Sequence, residues 1–198
     1  MDVDGSNAIR IADETLATSL QCSPDGKWVI YLKSASLPLM RVMFTGEKPP
    51  ELITQIPAAW VLDALAISPE GKRIAYVAAP ETPIEPSSSP AVFSPSASRP
   101  NQVKVIAFDG GALMHQFDWP ASAWRPRWAP RSDAIDYILT RNGVSNIWQQ
   151  RLTGGPPKQV THFDSGEIYD FEWSRDGSQL ALTRGSESSD VILMSNFR

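Results

Sequence analysis

A short polar turn motif recurs four times along the chain, and this repeat constrains the fold more than any other feature. The copies read "SPDG" from residue 23, "SPEG" from 68, "APRSD" from 129 and "SRDG" from 174. Their starting points are therefore 45, 61 and 45 residues apart. A period of this length is typical of chains that stack similar small units around a shared core.

A second marker keeps the same order as the turn motif. It reads "DGSN" at 4–7, "TGEKPPELIT" at 45–54, "DGGALMHQF" at 109–117 and "TGGPPKQVT" at 153–161. The longest spacing contains a segment rich in proline and serine at 80–100, which predicts a loop inserted into the second unit. Two markers in one order indicate a genuine internal repeat.

Each unit predicts short β-strands, here named A to D, because its apolar runs are rich in valine, isoleucine and aromatic residues and lack a helical period. The predicted strands are 16–22, 27–33, 38–44 and 50–55; then 61–67, 72–78, 101–108 and 112–118; then 123–129, 134–140, 145–151 and 157–162; and finally 168–173, 178–184 and 190–195. The fourth unit lacks a D strand, whereas residues 4–13 carry the D marker without the strands that normally precede it. The two ends are therefore complementary.

The stretches "SPDGKWVIYL", "SNIWQQRL" and "GGPPKQVTHF" resemble the four-stranded blades of WD40-like (PD40-repeat) β-propellers of the TolB type. The resemblance covers nearly the whole chain, and residues 146–185 are its most specific part. The blades also resemble the C-terminal propellers of bacterial serine/threonine kinases and winged-helix regulators. This implies a bacterial protein, extracytoplasmic if its parent is a membrane-anchored kinase and cytoplasmic otherwise. The third unit departs from the pattern at "APRSDAID", which predicts a looser turn between its A and B strands.

The resemblance and the strand count together predict an all-β propeller with four antiparallel four-stranded blades in a single domain over 1–198. The predicted blades are 14–57, 58–120, 121–163, and 164–198 together with 4–13. The N-terminal strand would complete the last blade, in the same chain or in a twin, and so remove an exposed sheet edge. A four-bladed monomer and a homodimer with eight blades both fit this count. The homodimer is favoured because blades of this type normally occur in larger rings.

Charge and composition exclude several classes of function. The net charge is −4 and the lysine and arginine residues are scattered, so no nucleic-acid partner is predicted. The sequence shows no apolar run long enough to span a membrane and no signal peptide, so no direct membrane contact is predicted. Cys22, the single cysteine, is expected to be inert and half-buried. No metal or cofactor site is predicted, because "DVDGSN" at 2–7 fails the spacing of a calcium loop.

Catalytic motifs are also missing from the sequence. The two histidines, His115 and His162, both fall in predicted D strands, and no Gly-x-Ser-x-Gly elbow occurs. The acids of the repeated motif, Asp25, Glu70 and Asp176, are interpreted as turn residues. The sequence therefore predicts that this chain is not an enzyme and has no catalytic residues. A parent protein could carry a kinase domain elsewhere, since the kinase elements are absent from this chain.

Seven tryptophans suggest where a partner could bind. Trp128, Trp148 and Trp173 are expected to fill the space between blades. A second group falls in the connections from D to A strands around the central opening, and forms the predicted binding surface: Trp60, Trp119, Trp124, Arg125 and Arg127. Tryptophan and arginine are enriched at the energetic centres of interfaces. Packing between blades is the alternative role for this group.

The sequence therefore predicts a non-catalytic module that binds a protein or another ligand, as the sensory or interaction part of a larger signalling protein. A propeller enzyme of the hydrolase or lyase type, with its site at the mouth of the channel, is one alternative. A purely structural module for oligomerisation is another. Its partner is predicted to be a protein, and a homo-oligomer is expected.

Overall fold

The structure is a computed structural model that describes residues 4, 6–13, 17–33, 38–56, 65–78 and 101–186. Over these ranges the chain forms β-strands joined by turns and contains no helix. Consequently none of these residues belongs to a helix that could cross a membrane. The strands form four antiparallel sheets, each built from consecutive strands. The prediction of an all-β fold with four blades is confirmed.

The first two sheets each contain four strands in sequential order. Blade 1 consists of β1 (Ala17–Cys22), β2 (Trp28–Lys33), β3 (Pro38–Met43) and β4 (Glu51–Gln55). Blade 2 consists of β5 (Leu65–Ile67), β6 (Arg73–Ala78), β7 (Asn101–Ala107) and β8 (Leu113–Trp119). The predicted start of the A strand at 61–64 and the predicted insertion at 80–100 lie outside the described residues.

The last two sheets follow the same plan. Blade 3 consists of β9 (Ala123–Trp128), β10 (Ala134–Arg141), β11 (Val144–Arg151) and the short β12 (Lys158–Gln159). Blade 4 contains β13 (Glu167–Trp173) and β14 (Leu180–Gly185). The strand predicted at 190–195 lies beyond the described part of the chain.

The repeated motif closes the turn between the A and B strands of each blade. In blade 1 the Gly26 amide donates to the Ser23 carbonyl at 2.9 Å, and Gly26 has a φ of 70°. In blade 3 the Ser132 amide donates to the Ala129 carbonyl at 2.8 Å, and Ser132 takes a φ of 56° where glycine stands elsewhere. The looser turn predicted for blade 3 is therefore wrong, because serine adopts the left-handed conformation and keeps the same backbone bond.

Apolar side chains fill the spaces between consecutive blades. The cluster between blades 1 and 2 includes Ile30, Leu39, Leu65 and Ile74. The cluster between blades 2 and 3 includes Val103, Val105, Trp128, Ile135 and Tyr137. The cluster between blades 3 and 4 consists of Ile138, Ile147, Ile168 and Phe171 with partly buried neighbours. Because the sheets of blades 2 and 3 bury both faces in this way, their central strands β6 and β10 are almost continuously buried, whereas β14 of blade 4 is not.

The N-terminal segment does not form the predicted strand. Residues 6–13 have no strand pairing, and Ile11 packs against a cluster on blade 1 made of Val29, Tyr31 and Val42. The expectation that residues 4–13 complete the last blade is therefore not met in the described part of the segment, since Ile11 covers an apolar face of the first blade. No hydrophobic cluster among the described residues joins blade 4 to blade 1.

Candidate binding site

The innermost strands of the four blades end around a cavity of about 400 Å³. Strand β1 lies against β5, and β5 lies against β9. The cavity is lined by residues from every blade: Gln21, Pro24, Ala66, Ile67, Pro69, Arg127, Trp128, Pro130, Glu172, Trp173, Ser174 and Arg175. Its volume falls within the range of about 300 to 1,000 Å³ that is usual for ligand pockets.

The lining residues occupy equivalent positions of the repeat. Two residues before the turn, the four blades contribute Gln21, Ala66, Arg127 and Glu172. One residue into the turn, they contribute Pro24, Pro69, Pro130 and Arg175. Because each blade presents the same positions, the cavity lies on the axis around which the blades are arranged. We call it the axial cavity.

Ion pairs join blades 3 and 4 beside the axial cavity. The Nε of Arg127 lies 3.0 Å from the Oε2 of Glu172, and its Nη2 lies 3.5 Å from Oδ1 of Asp170. The Nε of Arg125 lies 3.8 Å from the same oxygen of Asp170. Both acids are substantially exposed, so each pair contributes at most about 1 kcal/mol to stability. The pairs orient the Arg127 guanidinium at the cavity wall.

Two tryptophans form a wall of the axial cavity, and each is bonded to the preceding blade. The indole N–H of Trp128 donates to the Ala66 carbonyl at 2.9 Å, and that of Trp173 donates to Oδ2 of Asp136 at 2.8 Å. Trp128 is buried in the cluster between blades 2 and 3, and Trp148 packs against that cluster. The predicted packing of Trp128 and Trp148 between blades is confirmed, whereas Trp173 also faces the cavity.

Asp136 lies behind this wall with no accessible surface. Its Oδ1 accepts a hydrogen bond from Nε2 of Gln149 at 2.8 Å, and its Oδ2 accepts the bond from Trp173. Burial raises the pKa of Asp136 to about 6, although the two hydrogen bonds act in the opposite direction. Asp136 is not among the lining residues, so its direct effect is on the position of Trp173.

The structure separates the residues of the predicted binding surface. Trp60 lies outside the described residues. Trp119 is only 2% exposed, donates its indole N–H to the Ala123 carbonyl at 2.9 Å, and packs 4.8 Å from the ring of Tyr137. The prediction of Trp119 as a surface residue is therefore wrong, because its ring belongs to the core.

The other predicted residues lie along β9. Trp124 is half-buried against the cluster between blades 3 and 4, with the half-buried Arg125 guanidinium 5.6 Å from its ring. Only Arg127 reaches the axial cavity. The predicted surface was placed where the A strands begin, whereas the cavity lies where they end. When the four units are aligned on the turn motif, Arg127 and Glu172 fall at equivalent positions. The predicted binding surface did not include Glu172.

The remaining candidates lie away from the cavity. His115 is in β8 and His162 follows β12, and neither lines the cavity. Cys22 is exposed at the end of β1 and not half-buried as predicted. Across the described ranges, no group of three or more histidine, cysteine and acidic side chains is placed to hold a metal ion.

Four successive blades around an axial cavity define the fold as that of a WD40-like β-propeller. The chain resembles TolB from Acinetobacter baumannii over 94% of its own length and 43% of that chain, at 19% identity and a TM-score of 0.65. It resembles oligogalacturonate lyase from Vibrio parahaemolyticus over 89% and 49%, at 14% identity and a TM-score of 0.64. A chain of a nidogen/laminin complex matches over 85% and 56%, at 13% identity and a TM-score of 0.53.

These comparisons show a TolB-type propeller fold, and the chain spans about half the length of the structures it matches. No protein-family model matches the sequence, and a comparison with curated proteins gives no match. Oligogalacturonate lyase, whose fold the chain shares, is an enzyme, which contradicts the prediction that this chain is not an enzyme. That prediction was wrong because it searched for the motifs of other catalytic classes, whereas one fold can hold many different sites.

Proposed function

We propose that this chain binds a segment of another protein in the axial cavity. The observation that carries this proposal is the cavity itself, which takes equivalent residues from all four blades and measures about 400 Å³. A likeness to a chain of the nidogen/laminin complex supports a role in protein–protein contact. The binding site lies at the ends of the A strands, where Trp173 and Arg127 face the cavity.

Contacts within the chain hold the side chains of the cavity wall. Arg127 is held by Glu172 and Asp170, and Trp173 is held by Asp136. A binding site whose arginine and tryptophan are already oriented loses less conformational entropy when it binds. These residue types also dominate the energetic centres of interfaces. The arrangement therefore suits a short extended segment of a partner protein.

A steric block tests this proposal. Pro69 is exposed at the cavity mouth and, as a proline, donates no backbone hydrogen bond, so Pro69→Trp fills space without removing a bond. Pro156→Trp makes the same change on an exposed turn of blade 3. Short random peptides displayed on phage are selected on the unmodified chain, and their affinities are then measured by fluorescence polarisation.

We expect Pro69→Trp to weaken the selected peptides by about ten-fold or more, a loss of about 1.4 kcal/mol, and Pro156→Trp to leave them unchanged. Thermal melting of both variants checks that the fold is intact. Equal affinity for the unmodified chain and Pro69→Trp would exclude the axial cavity as the binding site. Equal losses in the two variants would do the same.

We also propose that two copies of this chain join at their open ends. In the described residues, no hydrophobic cluster joins blade 4 to blade 1. Leu20 is 61% exposed on β1, the innermost strand of blade 1. Leu20 belongs to none of the hydrophobic clusters among the described residues, so a second copy would cover it and extend the arc of blades.

Light scattering after gel filtration tests the second copy. The chain mass is 21.8 kDa, so a dimer would scatter at twice that mass. Leu20→Glu is expected to return the protein to a monomer. Leu113→Glu changes an equally exposed leucine on the outer strand β8 and is expected to leave the dimer intact. If the unmodified chain scatters with a mass of 21.8 kDa at all concentrations, this assembly is ruled out.

A further inference from the structure

We propose that the axial cavity selects acidic polypeptide segments, in which an aspartate or glutamate binds Arg131 and Arg175 while an apolar neighbour enters the opposite half. This inference rests on the proposed function and specifies its ligand. Arg131 and Arg175 belong to the A–B turns of blades 3 and 4, and together we call them the basic rim. The A–B turns of blades 1 and 2 contain no arginine.

Each arginine of the basic rim breaks the pattern of the repeat. Arg175 stands where the other three blades have proline, and it lines the axial cavity. Arg131 stands where the other three blades have an acid: Asp25, Glu70 and Asp176. It does not line the cavity itself, but it directly follows Pro130, which does, and so lies at the edge of the cavity. Both side chains are exposed. Neither guanidinium forms a hydrogen bond or ion pair with any residue in the described part of the chain, so their donors are available to a ligand.

The two turns that carry the basic rim touch each other. A Cβ placed on Gly177 would lie 2.8 Å from Cγ of Pro130, so the turn of blade 4 packs directly on that of blade 3. The two arginines are thus on adjacent turns at the same end of the propeller. Guanidinium groups bind carboxylates through paired, charge-assisted hydrogen bonds.

Nearby acids leave these guanidiniums accessible. Oδ1 of Asp176 accepts hydrogen bonds from the hydroxyl of Ser174 at 2.6 Å and from the amide and hydroxyl of Ser178, which directs that oxygen into its own turn. Glu172 pairs with Arg127. Asp133 is exposed, and its carboxylate forms no ion pair with either arginine among the described residues. The acids therefore reduce the local positive potential without occupying the donors of the basic rim.

The opposite half of the cavity is apolar. Blades 1 and 2 contribute Pro24, Ala66, Ile67 and Pro69, and Gln21 is their one polar lining residue. A segment with an acidic residue next to an apolar residue complements both halves. An acidic oligosaccharide would bury hydroxyl groups against the apolar side chains of this half, so a polypeptide with an apolar side chain is the better match.

Selection of displayed peptides on charge variants tests this inference. Random peptides are selected in parallel on the unmodified chain, on the double variant Arg131→Glu/Arg175→Glu, and on Arg151→Glu as an exposed control on β11. We expect the unmodified chain and the control to enrich aspartate or glutamate beside an apolar residue. The double variant should enrich lysine or arginine instead.

An affinity cycle supplies a second measurement. The best acidic peptide and its amide analogue, with asparagine or glutamine at the acidic position, are titrated against each protein. We expect the amide analogue to bind about ten-fold more weakly to the unmodified chain and about equally to the double variant, since a hydrogen bond to a charged group contributes about that factor. Thermal melting confirms that each variant is folded.

The outcomes separate this inference from the proposed function. If acidic residues are still enriched on the double variant, or are not enriched on the unmodified chain, the basic rim does not select the ligand. The axial cavity would still be the proposed binding site. Peptides insensitive to Pro69→Trp would instead refute the proposed function. Oligogalacturonate that binds the unmodified chain more tightly than the acidic peptide, and is lost in the double variant, would overturn the assignment to polypeptides.

Discussion

Replacing the buried carboxylate Asp136 by asparagine is expected to stabilise this protein near neutral pH. Burial raises the pKa of Asp136 from 3.8 to about 6. Each tenfold change in an acid dissociation constant corresponds to about 1.36 kcal/mol, so the charged form of Asp136 costs roughly 3 kcal/mol in the fold. Asparagine has nearly the same shape and no charge.

The hydrogen bonds around Asp136 can be kept by the asparagine. Its amide oxygen accepts the indole N–H of Trp173, and its NH₂ group faces Gln149, whose side-chain amide can turn to present its oxygen. The free energy of unfolding of Asp136→Asn at neutral pH is therefore expected to be higher by about 1 to 3 kcal/mol. The larger value applies if no hydrogen bond is lost.

The pH dependence has a definite sign. The folded-state pKa of Asp136 lies above its unfolded value, so the fold holds this proton more tightly than the unfolded chain does. The unfavourable contribution of charged Asp136 to the stability of the fold is present above pH 6. It disappears as the pH falls from about 6 towards 3.8. The stability advantage of Asp136→Asn should therefore be largest near neutral pH and vanish by about pH 4.

Urea unfolding followed by tryptophan fluorescence measures this difference at a series of pH values. Asp118→Asn makes the same substitution at an exposed position of β8 and is the matched control. A stability difference that does not change with pH, or an Asp136→Asn variant that is less stable at neutral pH than in mild acid relative to the unmodified chain, would refute this reasoning.

Two further substitutions test contacts between blades. Gly177→Ala should cost at least about 1 kcal/mol more than Gly26→Ala in urea unfolding, because both glycines have a φ of 70° but only Gly177 packs against Pro130. Equal costs would show that the two turns do not touch in solution. Trp128→Phe should destabilise the fold by about 1 to 3 kcal/mol, because the buried Ala66 carbonyl loses the indole donor that lies 2.9 Å away. A cost near zero would mean that another donor replaces the indole.

Much of the fold follows from the repeat alone. The turn motif sets the boundary between A and B strands, and the predicted strand at 27–33 differs from β2 by one residue. Local turn chemistry is sufficient there, because serine and glycine fix the hairpin within a few residues. The N-terminal segment was harder to predict, since the choice between a distant sheet edge and the apolar face beneath Ile11 depends on tertiary contacts.

The site could be predicted only in part, because it depends on which end of the A strands faces the axis. Arg127 was predicted because it is an arginine close to tryptophans in the sequence. Its partners Asp170 and Glu172, however, lie one unit later in the sequence. Trp119 shows the opposite error. An aromatic residue in a predicted connection can equally fill the core, and only the packing against Tyr137 distinguishes the two cases.

The ion pairs between blades 3 and 4 also favour the correct order of the blades over incorrect pairings. Arg125 and Arg127 on blade 3 occupy the same repeat positions as Asp170 and Glu172 on blade 4. Two copies of blade 3 placed side by side would bring arginine against arginine, and two copies of blade 4 would bring acid against acid. Chains built from near-identical units are prone to join in the wrong order as they fold. Opposite charges at matched positions penalise that error without changing the apolar core that all blades share.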